Sequence, residues 1–134
     1  MSAVFDASVV VKWFLDDPLA EAARDARLAF RPAVAPDLMV MEAANTFRCY
    51  VVRGELQPDA AMDNLSVTKE VVDLFDHAQL LDEAFSLACR LNQSMTDCLY
   101  VVLARRLNLP LVTADGKLAR KLASLDGLEL RMIG

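Results

Sequence analysis

Four acidic side chains in four different segments of the chain are of the type that can bind a cation together. In chain order they are Asp6, Glu42, Asp97 and Asp115. Carboxylates gathered at one place repel each other and raise one another's pKa, and a divalent cation removes that conflict. Ligand sets made only of oxygen select hard ions such as Mg²⁺ or Mn²⁺. Such a site suits phosphodiester hydrolysis, because the cation lowers the pKa of a water and stabilises charge on phosphate oxygens.

The segment that ends at Asp115 predicts how two of these acids meet. Leu99–Leu107 has apolar residues at helical spacing, and Leu111–Thr113 is typical of a short buried strand. From Asp97 the helix descends by about 15 Å, and the strand then returns by roughly 16 Å. Asp97 and Asp115 should therefore finish level, at the edge where strands end. In open α/β sheets, that edge is where ligands bind.

The other two acids are predicted to reach the same edge from different segments. Asp6 directly follows the apolar strand Ala3–Phe5. Glu42 lies about one turn into the helix that follows the second strand, and helix N-termini also face that edge. Asn45 shares the helix face of Glu42, three residues further on. We therefore expect the four carboxylates to line one pocket.

The elements that position these acids alternate between strand and helix. This alternation predicts one domain over residues 1–134, with an α/β fold in which a mainly parallel sheet of about five short strands has helices on both faces, giving three α/β/α layers. The predicted strands are Ala3–Phe5, Ala33–Ala35, Val71–Phe75, Leu111–Thr113 and Leu128–Met132. The predicted helices are Ala7–Leu15, Asp17–Phe30, Leu38–Val52, Pro58–Thr68, Leu80–Leu91, Leu99–Leu107 and Lys117–Leu122.

Each acid also has a purely structural interpretation. Asp6 is placed to cap the helix that follows it, and residues 94–97 fit the pattern of a capping box that would occupy Asp97. Asp115 with Gly116 suits a turn or a cap. Glu42 would need a surface position, because an uncompensated charge in an apolar helix is costly. None of these interpretations predicts that the four acids converge.

The composition restricts the partners and the compartment. There are 14 basic and 19 acidic residues, a net charge of -5, so binding to nucleic acid must depend on a local patch such as the basic residues after Asp115. The hydrophobic share of 55% suggests apolar surface kept for a partner or a second copy. No apolar run approaches the roughly 18 residues of a membrane span, and the N-terminus lacks a signal pattern. Cys49, Cys89 and Cys98 lack paired spacing and are expected to be buried free thiols in a cytoplasmic protein.

Three motifs carry a family resemblance. They are Phe5–Ser8 followed by VVVKWFL, Pro36–Phe47 (PDLMVMEAANTF), and Thr96–Cys98 followed by LYVVLARRLNLPLVTAD. In this order they resemble the PIN-domain ribonucleases, and most closely the VapC-type toxins of bacterial toxin–antitoxin pairs. Many relatives have tyrosine and alanine where this chain has Thr96 and Cys98, and the acid between them is intact.

The resemblance implies an activity, a cofactor and partners. The activity is that of a Mg²⁺-dependent endoribonuclease, with Mn²⁺ as an alternative ion, which leaves a 5′-phosphate and a 3′-hydroxyl. The partners are a cognate antitoxin, an RNA of the tRNA or rRNA class and a second copy of the chain, with no membrane. Carried over residue by residue, the metal-binding acids are Asp6, Glu42, Asp97 and Asp115. The residues that orient them are Ser8, Asn45 and Thr113.

Two other classes of protein fit parts of the pattern. A phospho-receiver signalling domain has a similar length and an acidic Mg²⁺ pocket, but it requires adjacent acids after the first strand and a lysine at the end of the fifth. Here a single acid follows the first strand, and Arg131 is the only basic residue in the last one. A non-catalytic binding module with the same fold is the second alternative, and the presence of all four acids argues against it.

Overall fold

The computed structural model describes residues 1–134 and contains one sheet of five parallel strands. The strands are β1 (Ala3–Phe5), β2 (Ala33–Pro36), β3 (Val72–Phe75), β4 (Leu111–Thr113) and β5 (Leu130–Met132). Their order across the sheet is β3-β2-β1-β4-β5, and every pair is parallel. The predicted number, type and direction of the strands are confirmed.

Seven helices cover the sheet. They are α1 (Ala7–Val10), α2 (Ala20–Ala29), α3 (Leu38–Val52), α4 (Pro58–Val71), α5 (Leu81–Leu91), α6 (Met95–Leu107) and α7 (Gly116–Leu122). The chain moves one way across the sheet from β1 to β3 and then crosses back to β4. Because parallel crossovers are right-handed, α1–α4 and α5–α7 lie on opposite faces. The predicted three-layer α/β/α fold is therefore confirmed.

The central strand β1 aligns the ends of its neighbours. Phe5 pairs with Val112 of β4, and Val4 pairs with Val34 of β2. The backbone N–H of Asp6 donates to the carbonyl of Val112 at 3.0 Å, so the ladder continues one residue beyond β1. The residues that follow β1, β2 and β4 consequently meet at one edge of the sheet.

Glycine and asparagine end the helices where the sequence indicates. Asn92 after α5 and Asn108 after α6 have φ of 50° and 53°, and Gly54 beyond α3 has φ of 76°. Asparagine and glycine tolerate this left-handed conformation, which stops a helix. The chain can therefore turn back toward the site edge after α6.

Several predicted element bounds differ from the observed ones. The helix predicted over Ala7–Leu15 is a four-residue α1 followed by a 3-10 turn at Val11–Trp13, in a β-branched run that disfavours a longer α-helix. The second helix begins at Ala20, because the carboxylate of Asp17 accepts from the N–H of Leu19 in a separate turn. The other differences are small: α4 extends to Val71 and β5 begins at Leu130.

The expectation that all three cysteines are buried is wrong for two of them. Cys98 is buried, whereas Cys49 and Cys89 are exposed, and none forms a disulfide. In α3 the buried stripe contains Phe47, and Cys49 lies about 200° further around the helix. Helical position therefore decides burial here. None of the helices combines the length and the apolar character needed to cross a membrane.

Candidate metal centre

Asp6 occupies the point where β1 meets α1, and its side chain faces two hydroxyl groups. Oδ2 of Asp6 accepts a hydrogen bond from Oγ of Ser8 at 2.9 Å and from Oγ1 of Thr113 at 2.8 Å. Although Asp6 is the N-cap residue of α1, its carboxylate makes no capping hydrogen bond. Burial raises the pKa of Asp6 and the charge of Asp97 raises it further, while the two hydroxyl donors lower it. The capping interpretation of Asp6 is therefore wrong.

The two hydroxyl groups are themselves held by the backbone after β4. Oγ of Ser8 accepts from the N–H of Ala114 at 3.1 Å, and Oγ1 of Thr113 accepts from the N–H of Asp115 at 3.0 Å. Each hydroxyl group thus donates to Asp6 and accepts from a backbone amide. This network fixes one carboxylate oxygen of Asp6 relative to two strands.

Glu42 is partly buried on α3, and its side chain reaches α6. The hydroxyl of Tyr100 donates to Oε1 of Glu42 at 2.6 Å. Burial raises the pKa of Glu42, and the charges of Asp6 and Asp97 add to this, while the Tyr100 hydrogen bond lowers it. Burial also raises the pKa of Tyr100, together with the charge of Glu42, so the phenol stays protonated and remains a donor. Glu42 therefore has a partner inside the fold.

Only one of the two hydrogen bonds of the predicted capping box forms at Asp97. Oγ of Ser94 accepts from the N–H of Asp97 at 3.2 Å, which caps α6. The Asp97 carboxylate does not bond back to the Ser94 backbone, and Oδ2 instead accepts from Nε2 of Gln93 at 3.0 Å. The backbone of Asp97 is thus used in the cap, and its charged group is available to the site. The adjacent Cys98 thiol has its pKa raised by burial and by the Asp97 charge.

Asp115 is the acid for which the structural interpretation is confirmed. It is the N-cap of α7, and its Oδ1 accepts from the N–H of Lys117 at 3.0 Å and of Leu118 at 3.1 Å. Its backbone N–H donates to Thr113, which connects it to the Asp6 network. The cap fixes the Asp115 carboxylate at the edge of the sheet.

Three of the predicted acids are brought close enough to affect one another. The charges of Asp6 and Asp97 both raise the pKa of Glu42, and the charge of Asp97 raises that of Asp6. Asn45, predicted to orient Glu42, is exposed, and its side chain makes no hydrogen bond. The side chain next to it, Thr46, donates to the backbone carbonyl of Glu42 at 3.2 Å.

In each of the four carboxylates, only one of the two oxygens accepts hydrogen bonds from the protein. One oxygen is held by protein donors, and the other, Oδ1 of Asp6 and Asp97, Oε2 of Glu42 and Oδ2 of Asp115, has no hydrogen bond from the protein. No buried side-chain oxygen or nitrogen lacks a partner, so these free oxygens are open to solvent. No lysine, arginine or histidine forms an ion pair with any of the four acids. The donor set fits a divalent cation, which would supply the missing positive charge.

Sequence reasoning missed Tyr100 and Gln93. Tyr100 lies three residues after Asp97, and Gln93 lies four residues before it. The sequence does contain a signal for Tyr100, because a spacing of three residues places it beside Asp97 on the same face of α6. Nothing in the sequence pairs Tyr100 with Glu42, because α3 and α6 are separate segments that the fold brings together.

A second group of possible metal ligands lies after β2 and β3. One ligand atom from each of Asp37, Asp76 and His77 lies within 4.8 Å of the others, an approach that no trio of the four predicted acids matches. Nδ1 of His77 is 2.7 Å from Oδ1 of Asp37. Desolvation acts to raise the pKa of Asp37, but the hydrogen bonds and charge of His77 lower it overall. The imidazole of His77 is therefore held against Asp37, although both side chains remain exposed.

Comparison with known proteins identifies the family. The family model described as PIN domain matches residues 3–123. This chain therefore belongs to the PIN-domain family, which excludes the phospho-receiver alternative. The matched range contains all four predicted acids and the network that joins β1 to β4.

One protein of known sequence and two solved structures show which proteins the chain resembles. The chain is 30% identical over 128 residues to Ribonuclease VapC3 of Pyrobaculum aerophilum, covering 93% of this chain and 98% of that protein. The crystal structure of PAE2754 from Pyrobaculum aerophilum has a TM-score of 0.72 at 21% identity, covering 97% of this chain and 90% of the other. Mycobacterium tuberculosis VapC20, described as a Sarcin-Ricin loop cleaving toxin, has a TM-score of 0.71 at 16% identity, covering 89% and 94%. The similarity to a VapC ribonuclease extends over nearly the whole chain.

Proposed function

We propose that this protein is a divalent-metal-dependent endoribonuclease and the toxin of a VapBC-type toxin–antitoxin pair. The family and the VapC3 relative support a nuclease. The observation that carries the proposal is the shared arrangement of the four carboxylates. Each has one oxygen held by the protein and one open to solvent, with no cationic side chain paired to it.

In this proposal Asp6 and Asp97 hold a Mg²⁺ or Mn²⁺ ion most directly, and Glu42 and Asp115 complete the site directly or through water. A bound divalent cation supplies an activated water and neutralises charge on phosphate oxygens. Ser8 and Thr113 keep Oδ2 of Asp6 engaged, so that Oδ1 is the oxygen offered to the ion. Tyr100 and Gln93 do the same for Glu42 and Asp97. These donors fix the orientation of the ligands, as hydrogen-bond partners of metal ligands generally do.

The proposed partners are an RNA of the tRNA or rRNA class, a cognate antitoxin and a second copy of the chain, all in the cytoplasm. VapBC2 from Rickettsia felis, solved on a DNA fragment from its promoter, has a TM-score of 0.68 at 15% identity and covers 100% of both chains. Apolar surface for an antitoxin is present on α3 and α4, where Met41, Val52 and Met62 are exposed. Between these helices lies a groove of about 250 Å³ that includes Ala44 and Leu65.

The experiment that tests the proposal is induced expression of the wild type beside Asp6→Asn and Asp97→Asn, followed by growth and RNA integrity. We expect growth arrest with RNA cut at discrete sites for the wild type alone. Purified wild type should cleave the same RNA with Mg²⁺ or Mn²⁺, leave a 5′-phosphate, and stop in EDTA.

The matched control is Asp63→Asn, which removes one exposed acid from α4. It should behave as the wild type. Circular dichroism spectra of all variants exclude unfolding as the cause of lost activity. Arrest by both site variants, or an inert wild type, would instead favour the non-catalytic binding module.

A further inference from the structure

A groove between α5 and α6 concentrates positive charge outside the carboxylate site. It encloses about 390 Å³. The buried side chains of Leu87 and Val102 form its floor. The exposed residues around it are Glu83, Ser86, Arg90, Arg105 and Arg106.

Two of the three arginines in this groove have no partner. Nε of Arg106 is 3.5 Å from Oε1 of Glu83, in an exposed pair. Arg90 and Arg105 form no ion pair and donate no hydrogen bond within the protein. The groove therefore carries a local positive excess, although the whole chain has a net charge of -5. An anion bound there would relieve the repulsion between neighbouring guanidinium groups.

The position of the groove connects it to the carboxylate site. Arg90 is three residues before Gln93, whose amide donates to Asp97, so their backbones are at most about 11 Å apart. Arg105 lies eight residues beyond Asp97 on the same helix, about 12 Å along its axis. Arg90 and Arg105 therefore both lie within a short distance of Asp97, as measured along the backbone and along α6.

We propose that the α5–α6 groove binds backbone phosphates of the RNA strand that is cleaved at the carboxylate site. This inference rests on the proposed function. Each guanidinium presents parallel N–H donors that match a phosphate in two-point contact. RNA supplies successive phosphates along one strand, so each of the two unpaired arginines on the adjacent helices α5 and α6 has a phosphate to bind.

The test compares Arg90→Gln/Arg105→Gln with the wild type, leaving Arg106 paired to Glu83. Binding of a labelled single-stranded RNA of about 20 nucleotides is measured in EDTA over a range of KCl concentrations. We expect the dissociation constant to rise about tenfold, and the slope of log affinity against log salt to lose about 1.4, or roughly 0.7 for each phosphate contact. In Mg²⁺, KM should rise while kcat is unchanged.

The control is Arg31→Gln/Lys69→Gln, which removes two exposed, unpaired cations elsewhere. An equal weakening in this control, or an unchanged salt slope in the groove variant, would overturn the proposal. Equal loss of binding to polyglutamate and to RNA would assign the groove to acidic protein segments and would also overturn it. Wild type that binds RNA through the two arginines without cleaving it would support the groove and contradict the nuclease.

Discussion

The hydroxyl of Thr113 donates a 2.8 Å hydrogen bond to Oδ2 of Asp6, although 107 residues separate them. The same hydroxyl accepts from the N–H of Asp115, so one side chain connects the ends of β1 and β4 to the start of α7. Thr113 is completely buried. The link is therefore part of the sheet's interior and does not depend on solvent.

Replacing Thr113 by valine should weaken both stability and activity. The Asp115 amide loses its acceptor, which costs about 1–3 kcal/mol, and Asp6 loses a donor that lowers its pKa. The pKa of Asp6 should therefore rise further, and the acidic limb of the pH–rate profile should move to higher pH. Thr68→Val is the matched control, since Thr68 is equally buried and bonds only within α4. It should lower the melting temperature without moving the profile.

Replacing Tyr100 by phenylalanine should reduce cleavage about 10- to 100-fold, as is usual when a hydrogen-bond partner of a metal ligand is lost. The fold should persist, because the ring still fills its buried site. The measurement is cleavage activity as a function of Mg²⁺ concentration. We expect the variant to need a higher Mg²⁺ concentration for half-maximal activity. Tyr50→Phe serves as the control, because the Tyr50 hydroxyl bonds to none of the acids. An unchanged metal titration in Tyr100→Phe would show that its contact with Glu42 is only structural.

The raised pKa of Asp6 predicts how metal-free stability depends on pH. A carboxyl whose pKa is higher in the folded state favours folding below its unfolded value, near 3.8, and loses that contribution as pH rises through the folded value. Asp6→Asn stays neutral, so in EDTA its melting temperature relative to wild type should increase as pH rises through this range. With Mg²⁺ the order should reverse at neutral pH, because only the wild type gains from the ion. A constant difference across pH, in EDTA and in Mg²⁺, would contradict this account.

Asp115 combines a cap with a proposed ligand, and two substitutions separate these roles. Asparagine caps a helix about as well as aspartate, whereas alanine costs about 0.5–2 kcal/mol. Asp115→Asn should therefore keep the melting temperature but lose cleavage, and Asp115→Ala should lose both. Thermal denaturation and an RNA cleavage assay on the same samples provide the comparison. Full activity in Asp115→Asn would limit this residue to capping α7.

RNA cleavage should not depend on the group formed by Asp37, Asp76 and His77. His77→Gln removes the imidazole whose hydrogen bond and charge lower the pKa of Asp37, so that pKa should rise in a carbon-13 NMR titration. A carboxyl whose pKa is lower in the folded state stabilises the protein at pH values above its unfolded-state pKa. This stabilisation is lost as pH falls through the folded-state pKa. Because both side chains are over 40% exposed, the effect should stay below about 1 kcal/mol. A large loss of RNA cleavage in His77→Gln would show that this group belongs to the active site.

Local sequence patterns determine which helices and strands form, whereas only the fold decides which distant side chains meet. Asp6 and Asp115 were predictable because an apolar strand ends directly before Asp6 and two residues before Asp115, and strand ends in a parallel sheet share an edge. The pairing of Glu42 with Tyr100 was not predictable from the sequence, since these residues lie on different helices and are 58 positions apart. The sequence also did not predict which carboxylate caps a helix and which stays free, because Asp6, Asp97 and Asp115 all stand near the start of a helix. That choice depends on donors such as Gln93 and Thr113 being in place.

The sheet order also has a consequence for the timing of synthesis. The neighbours of β1 are β2 and β4, so the strand that carries Asp6 remains an open edge until β4 has been made. Translation proceeds at about 5–20 residues per second, and a nascent chain that ends before Thr113 lacks the Thr113 donor to Asp6 and the Ala114 amide that holds Ser8. On the proposed function, a nascent chain should therefore become able to cleave RNA only after Thr113 and Ala114 have been made.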